Sequence, residues 1–335
     1  MILHVCNEGE LITDIGKKYG VSPVKLLEDN GFPPERPLLE GDVIAVFPSA
    51  RCHTVAGGET AAGICEKYAL PQKDLFCRNP SLEGALRLYP GQILNTSPLP
   101  PKGATVIGRL PTGRDRRGLR AALPHLDLLL LAGGRARGRH AELPRGRFVE
   151  GVKLGAEVDC AGIHDTEAMA QNLWRAARRE GITVLLPMGE DAACMTAALA
   201  REKQEGEALF SYENFPEADF SINEDTPAPR RIARLPMGGT VQDGAGDEVC
   251  VSEEEKDRLL WRWGERITRG EREATVEKAL PVGGGMLQRR LLFTDLAMKK
   301  AALEEAFEGG ARGVFVGDVC DLTAQNRCLL SGIFD

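Results

Sequence analysis

An internal repeat at the amino terminus constrains the fold of this chain more than any other feature. Residues 4–30 align with residues 53–79 at an offset of 49, without a gap and with eight identical pairs. These pairs are His4/His53, Gly9/Gly58, Glu10/Glu59, Ile15/Ile64, Lys18/Lys67, Tyr19/Tyr68, Leu26/Leu75 and Asn30/Asn79. A one-residue insertion then aligns residues 39–44 with residues 89–94. The repeat predicts two small units that share one fold.

Each unit is predicted to fold as strand, helix, helix, strand. Short β-type runs at Leu3–Cys6 and Cys52–Val55 lead into turns at Gly9 and Gly58. The first helix of each unit then carries residues at i, i+4 and i+8 that predict one buried face. Those residues are Leu11, Ile15 and Tyr19 in one unit and Thr60, Ile64 and Tyr68 in the other.

This pattern resembles the LysM module, in the order and spacing of both copies. The resemblance implies binding of N-acetylglucosamine polymers, peptidoglycan or chitin, in a shallow groove between two loops. Matched by position, the loops of the first copy are Gly9, Glu10, Leu11 and Ile12 with Asn30, Gly31, Phe32 and Pro33. Those of the second copy are Gly58, Glu59, Thr60 and Ala61 with Asn79, Pro80, Ser81 and Leu82. In the alternative interpretation, the Gly and Asn residues are only turn and cap residues.

Two departures from the family pattern bear on binding. Glu10 and Glu59 stand where Asp is commoner, and the second copy has Ala61-Ala62-Gly63 where bulkier residues are usual. The second module is therefore expected to bind more weakly, although two weak modules on one chain still hold a polymer through effective concentration.

The remainder of the chain is predicted to be one α/β domain. We place LysM modules at residues 1–48 and 51–97, a proline-rich linker at 98–103 and the domain at 104–335. Strands alternate with helical patterns, which favours a (β/α)₈ barrel. The strand candidates are Thr105–Leu110, Leu126–Leu131, Phe148–Leu154, Ile182–Leu186, Ala208–Tyr212, Asp219–Ile222, Arg231–Pro236 and Gly313–Val316. Because Glu213–Ala218 is too short for a helix, one barrel unit is expected to be missing or misassigned.

A late insertion at about residues 240–293 is predicted to hold a helix and a hairpin around Gly283-Gly284-Gly285. A small α+β insertion at this place resembles the barrels of glycoside hydrolase family 18. The segments that resemble spore-type N-acetylglucosaminidases of that family are 122–130, 234–239, 293–296 and 310–316. Those enzymes also carry two amino-terminal LysM modules. The resemblance implies a degenerate TIM-type barrel acting on peptidoglycan or a chitin-like polymer.

The family 18 catalytic signature does not occur in this sequence. That chemistry is substrate-assisted, and its signature Asp-x-x-Asp-x-Asp-x-Glu puts alternate carboxylates on one face of the fourth strand. The nearest segment, residues 150–157, ends in Glu157 but has Lys153 and Gly155 where the two Asp should be. A rival segment, residues 210–213, ends in Glu213. Both acids are candidates for a general acid, and solvated carboxylates without a catalytic role are the alternative.

Aromatic residues are scarce, at 5% of the chain. Sugar-cleaving clefts use aromatic faces for stacking, so this scarcity favours a barrel that has lost its active site. Trp261 and Trp263 are two apart in a helical pattern, so one of them is expected to be exposed. We interpret both as packing residues rather than sugar platforms.

Composition and charge exclude other classes of protein. The net charge of −7 argues against nucleic-acid binding, and no run approaches the ~18–20 apolar residues of a membrane helix. The amino terminus has no signal-peptide pattern, so synthesis in the cytoplasm is expected, with a final location in the cell wall, spore cortex or spore coat. Nine cysteines without a CxxC pair predict free thiols and no metal site.

We therefore interpret the chain as a protein that binds peptidoglycan or another N-acetylglucosamine polymer, with an inactive family 18-like barrel. One alternative is an active N-acetylglucosaminidase that uses Glu157 as its acid. The other is a structural or assembly protein of the spore coat. No cofactor is expected, and the sequence does not indicate an oligomeric state.

Overall fold

The structure of the 335-residue chain is a computed structural model. It describes residues 1–48, 51–79, 82, 88–98, 104–112, 117–145, 151–244, 246–264, 266–282 and 285–332. Pro80, Ser81, residues 99–103 of the expected linker and the Gly283-Gly284 pair lie outside these residues. No helix within the described ranges is long and apolar enough to cross a membrane.

The first repeat packs two helices on a two-stranded antiparallel sheet. Its elements are β1 (Ile2–Val5), α1 (Ile12–Tyr19), α2 (Pro23–Asn30) and β2 (Val43–Val46). Gly20 and Gly31 end the two helices in the left-handed conformation, with φ of 68° and 66°, where glycine avoids the steric cost of a Cβ. Ile15, Leu26 and Ile44 fill the core of this repeat.

The second repeat has the same architecture, as the alignment predicts. Its elements are β3 (Cys52–Thr54), α3 (Ala61–Tyr68), α4 (Gln72–Arg78) and β4 (Ile93–Asn95). The Thr60 hydroxyl caps α3 by accepting a hydrogen bond from Gly63 N at 3.1 Å. Ala69 takes the left-handed position that Gly20 holds in the first repeat, with φ of 53°. Ile64, Leu75 and Leu94 occupy the core.

The barrel begins after residue 103. Its first part comprises β5 (Thr105–Leu110), α5 (Arg117–Ala122), β6 (Leu128–Arg137), β7 (His140–Glu142), β8 (Lys153–Ala161), α6 (Thr166–Arg179), β9 (Ile182–Met188), α7 (Ala192–Glu202), β10 (Ala208–Ser211), β11 (Phe220–Ser221) and β12 (Ile232–Arg234). Apart from β7, which folds back on β6 as an antiparallel hairpin, these strands lie parallel to their neighbours.

An antiparallel sheet of five strands is inserted between β12 and the last barrel strand. The inserted segment contains β13 (Gly239–Asp243), β14 (Glu248–Val251), helix α8 (Glu253–Trp263), β15 (Thr268–Arg269), β16 (Ala274–Val282) and β17 (Gly285–Phe293). Its five strands pair in the order β14-β13-β17-β16-β15. The expected hairpin is the β16–β17 pair. Trp263 packs into the core between helix and sheet, whereas Trp261, two residues away, is exposed.

The chain then returns to the barrel through α9 (Leu296–Glu308), β18 (Gly313–Asp318) and α10 (Ala324–Gly332). The order β11-β10-β9-β8-β6-β5-β18-β12 closes through a parallel bridge between Ser221 and Arg231, which makes eight parallel strands. Among the described residues all eight strands are present, and the expected defect of one barrel unit is the lack of a helix rather than of a strand. The fifth and sixth strands pair directly, and the chain joins them through residues 212–219 without a helix.

The repeats and the barrel share buried contacts at α10. The Cys328 thiol donates to Asp29 O at 2.9 Å, and the Ser331 hydroxyl donates to Cys77 O at 2.7 Å. Lys25 links the two repeats, because its ammonium donates to Asp29 Oδ1 at 2.6 Å and to Asn79 Oδ1 at 3.2 Å. One helix of the barrel therefore supports the second helix of each repeat.

Candidate saccharide-binding loops and barrel mouth

A hydrogen-bond network of three side chains holds the first loop of the first repeat. Nε2 of His4 lies 3.0 Å from Glu10 Oε2, and its Nδ1 lies 3.1 Å from the Tyr19 hydroxyl. Glu10 Oε2 also accepts from Asn7 N at 2.9 Å, which closes the turn. The imidazole thereby joins the loop to helix α1.

The second repeat reproduces this network. Nε2 of His53 lies 2.7 Å from Glu59 Oε2, its Nδ1 lies 3.1 Å from the Tyr68 hydroxyl, and Ala56 N donates to Glu59 at 2.7 Å. In both repeats the backbone hydrogen bond, from Asn7 or Ala56, lowers the pKa of the loop carboxyl, and the histidine acts in the same direction. Both carboxylates therefore hold the loops in shape. Three of the eight identical repeat pairs belong to this network, a signal that our sequence interpretation did not use.

The outer surfaces of the first loops differ between the two repeats. Gly9 and Gly58 adopt φ of 71° and 86° and face open space. Beside them, Leu11 of the first repeat is 61% exposed and offers an apolar wall. The second repeat has Thr60 at this position and the buried Ala61 at the position of the half-buried Ile12. The second repeat therefore offers less apolar surface to a saccharide.

The asparagines at the ends of the second helices do not line a groove. Asn30 is buried, donates to Leu26 O and Ala45 O, and accepts from Ala45 N. Asn79 makes the matching bonds to Leu75 and Asn95. Their side chains tie each helix end to the closing strand, so their expected role in saccharide contact is corrected to a structural one.

The remaining residues of the predicted saccharide-binding loops lie in different environments. Gly31 is exposed but close to the barrel, since a Cβ there would lie 2.8 Å from Ala324 Cβ. Phe32 is half-buried, and the Arg36 guanidinium stacks 3.9 Å from the centre of its ring. Pro80 and Ser81, expected in the second repeat's loop, lie outside the described residues.

At the barrel, Glu157 is buried in a polar cluster. It lies on β8 between Ala156 and Val158, which pack against the outer helices, so its side chain faces the barrel interior. Its Oε1 accepts from Arg109 Nε and from the Tyr212 hydroxyl, each at 2.7 Å. These bonds raise the pKa of the Arg109 guanidinium, and burial with the Glu157 bond raises the pKa of Tyr212.

The segment that ends in Glu157 is the third barrel strand, so the match of this segment to the fourth-strand signature was wrong. The fourth strand is β9, and its alternating inward residues are Val184, Leu186 and Met188. All three are apolar, where the signature requires carboxylates. Lys153, which stands at an Asp position of that match, lies at the opposite end of β8, and the cation beside Glu157 is Arg109.

Other carboxylates near the mouth do not complete an acid pair. Asp159, the next inward residue of β8, forms an ion pair with Arg137 at 3.1 Å. Glu213 follows the fifth strand and is exposed, and its carboxylate has no hydrogen-bond partner among the described residues. Glu157 therefore binds Tyr212, the residue before Glu213, but Glu157 and Glu213 do not form one site among the described residues.

The described residues contain no cluster of side chains that could hold a metal ion. No group of three or more His, Cys, Asp or Glu side chains is clustered there in a way that suits a metal ion. The nine cysteines all lie within the described ranges and none forms a disulfide, and burial raises the pKa of Cys6 and Cys160 to about 12.

Comparison with known proteins defines the class of both parts. Residues 4–47 and 53–97 match the LysM domain. The chain thus carries tandem LysM domains followed by a parallel eight-stranded barrel with the fold of family 18 glycoside hydrolases. No curated protein sequence matches the chain significantly.

Solved structures extend the likeness of fold over the whole chain. The spore cortex-lytic enzyme SleL of Bacillus cereus is similar with a TM-score of 0.70 and 14% identity, over 100% of this chain and 98% of that one. SleL of Bacillus megaterium QM B1551 has a TM-score of 0.68 and 14% identity, over 99% and 98%. A family 18 chitinase of Cycas revoluta in complex with (GlcNAc)3 has a TM-score of 0.52 and 13% identity, over 69% and 100%.

Proposed function

We propose that this protein binds N-acetylglucosamine-containing polymers of the cell wall or spore cortex through its LysM domains, without hydrolysing them. The observation that carries the second half of this proposal is the apolar inward face of β9. Val184, Leu186 and Met188 occupy the positions where substrate-assisted hydrolysis needs alternate carboxylates. Without them, no residue of that strand protonates a leaving oxygen or stabilises a charged sugar ring.

Glu157 is a poor replacement for the missing acid. A general acid must donate a proton within hydrogen-bond reach of the leaving group. Glu157 Oε1 accepts from two donors, Oε2 is buried without a hydrogen-bond partner among the described residues, and the side chain is 1% exposed. No second carboxylate among the described residues hydrogen-bonds to it or to Tyr212. The barrel therefore serves as a scaffold that supports the repeats.

The loops support binding by the LysM domains. The first repeat combines a turn held by its His-Glu-Tyr network with an exposed apolar wall at Leu11. N-acetyl sugars suit such a surface, because backbone groups pair with the amide and an apolar wall covers the methyl group. The similar SleL proteins are spore cortex-lytic enzymes, which is consistent with a cortex or cell-wall location for this chain.

An active N-acetylglucosaminidase is the second candidate, because the likeness to cortex-lytic enzymes covers nearly the whole of both chains. Sedimentation of the full chain with purified peptidoglycan tests binding in either case. We expect retention that soluble N-acetylglucosamine oligomers abolish in competition. An absence of retention would count against both candidates and favour a role in spore-coat assembly.

A further inference from the structure

A cavity of about 260 Å³ lies where the first repeat, helix α8 and the carboxyl-terminal helices meet. One wall is the loop formed by Gly31, Phe32 and Pro33, which belongs to the expected saccharide groove. Another part of the lining is α8 with Trp261. We call this space the junction cavity. Its volume is close to the lower end of the range of about 300–1,000 Å³ for small-molecule sites, which suits a single sugar unit.

Close contacts hold the walls of the junction cavity at fixed positions. Ile267 N donates to Glu40 O at 3.0 Å, which joins the inserted sheet to the first repeat. At Gly41, φ is 90° and a Cβ would lie 2.7 Å from Ile267 O, so only glycine permits this approach. The cavity is therefore preformed, which lowers the entropic cost of binding a ligand.

Trp261 provides the aromatic surface. It is 47% exposed, whereas the other two tryptophans, Trp174 and Trp263, are 0% and 7% exposed. An indole covers the apolar face of a pyranose ring and keeps a polar edge in contact with water. The packing role that the sequence suggested for both residues of α8 therefore holds for Trp263 and not for Trp261.

Polar groups complete the lining. Glu253 Oε1 accepts from the buried ammonium groups of Lys256 and Lys299, so the charged floor of the cavity is paired. The Gln325 amide donates to Asn30 Oδ1 at 3.2 Å and to Val43 O at 2.9 Å. Within the described part of the chain, Gln325 Oε1 accepts no hydrogen bond, so it is available to an amide or hydroxyl of a sugar.

We propose that the junction cavity is a separate subsite that binds one N-acetylglucosamine unit of a polymer held by the first repeat. The indole of Trp261 stacks on the pyranose ring, and Gln325 Oε1 accepts from its N–H or O–H. The inference rests on the proposed function, because the shared Gly31–Pro33 loop makes the cavity a continuation of the LysM surface. A polymer long enough to pass from the loops to α8 gains this contact, and a short oligomer does not.

Calorimetric titration of the full chain with a dimer and a pentamer of N-acetylglucosamine tests the subsite. Trp261→Ala should weaken pentamer binding about 3- to 10-fold, the range expected for loss of one aromatic contact, and leave dimer binding unchanged. Trp261→Phe should restore part of the affinity. Tyr89→Ala removes an aromatic residue that is 68% exposed and does not line the cavity, so it serves as the matched control.

Tryptophan fluorescence supplies a second readout that a merely structural role would not change. Because Trp261 is the exposed tryptophan, the pentamer should protect the emission from acrylamide quenching, and Trp261→Phe should abolish that protection. Pentamer binding with unchanged quenching and unchanged affinity in Trp261→Ala would overturn the subsite and leave LysM binding intact. Failure of every oligomer to bind the wild-type chain would overturn both the proposed function and the subsite.

Discussion

Glu157 and Leu186 lie in register on neighbouring barrel strands, and both side chains face the interior. Family 18 chemistry places its carboxylates on the strand that carries Leu186. In this chain the only buried acid of the mouth among the described residues is on the preceding strand, where it binds Arg109 and Tyr212. The acid therefore belongs to a buried hydrogen-bonded cluster that joins the first and third strands to Tyr212, directly after the fifth strand.

This role predicts a stability effect for Tyr212→Phe. The change removes the hydroxyl that donates to the buried Glu157 carboxylate, and hydrogen bonds to charged groups contribute about 1.5–3 kcal/mol. We expect the free energy of unfolding in urea to fall by about 1–2 kcal/mol, given that Arg109 still binds the same oxygen. Tyr89→Phe, at an exposed site, is the control and should have an effect within about 0.5 kcal/mol. Equal effects of the two changes would contradict the buried cluster.

The unequal loop surfaces predict unequal contributions of the two repeats to binding. Leu11→Ala should weaken pentamer binding by about 1 kcal/mol, or roughly fivefold, because it removes the exposed apolar wall. Thr60→Ser keeps the hydroxyl that caps α3 and should change binding less than twofold. Calorimetry with the full chain measures both variants. A larger loss from Thr60→Ser would place the main saccharide surface in the second repeat.

The loop carboxylates predict a loss of saccharide affinity in acid. Glu10 and Glu59 have pKa values lowered from 4.5 by backbone hydrogen bonds to their turns. A depressed folded-state pKa means that the stabilisation is present above pH 4.5 and is lost as the pH falls through the lower folded value. Pentamer affinity should therefore be constant near neutral pH and fall below pH 4.5. Glu10→Gln with Glu59→Gln should remove most of this acid dependence; an unchanged profile would contradict the role of the network.

The buried charges at the floor of the junction cavity predict that substitutions of two adjacent residues of α8 differ strongly in their effect on stability. Glu253 is buried and pairs with Lys256, Lys299 and Asn326, and two buried lysines hold its pKa at about 2. Glu253→Gln leaves the buried Lys299 with neutral partners only, whereas Lys256 keeps its ion pair with Asp257 at 3.0 Å. We expect a loss of about 3 kcal/mol in the free energy of unfolding, because the Lys299 charge is then buried without a counter-charge. Glu254 has an 80% exposed side chain and pairs only with Arg258 among the described residues, so Glu254→Gln should cost less than about 0.5 kcal/mol. Similar losses for the two variants would contradict a buried charge cluster.

The fold was predictable where the pattern is local. The repeat predicted the strand and helix order of both LysM domains. Apolar runs predicted eight barrel strands in the observed order, although the third run, Phe148–Leu154, shares only Lys153 and Leu154 with β8. The expectation that one barrel unit is missing or misassigned was right for the helix and wrong for the strand, because the fifth and sixth strands pair without an intervening helix. Parallel strands are usually connected by a helix, so a connection without a helix was interpreted as a defect in the barrel.

The barrel cluster was much less predictable. Glu157 was found by matching the spacing of acids, which ignores the strand count and assigned it to the wrong strand. Its partners Arg109 and Tyr212 are 48 and 55 residues away, and only barrel closure brings them together. Asn30 and Asn79 were assigned to the correct positions of the repeat, but their positions do not reveal that their side chains are buried in the core.

Analysis of soluble fragments released from spore-cortex peptidoglycan tests the central claim most directly. The wild-type chain and Glu157→Gln are each incubated with the polymer, and the supernatants are compared by mass spectrometry with a sample that contains no protein. We predict that both proteins remain on the polymer and release no fragments with new N-acetylglucosamine reducing ends. Release of such fragments by the wild-type chain, abolished in Glu157→Gln, would contradict binding without hydrolysis and establish an active barrel.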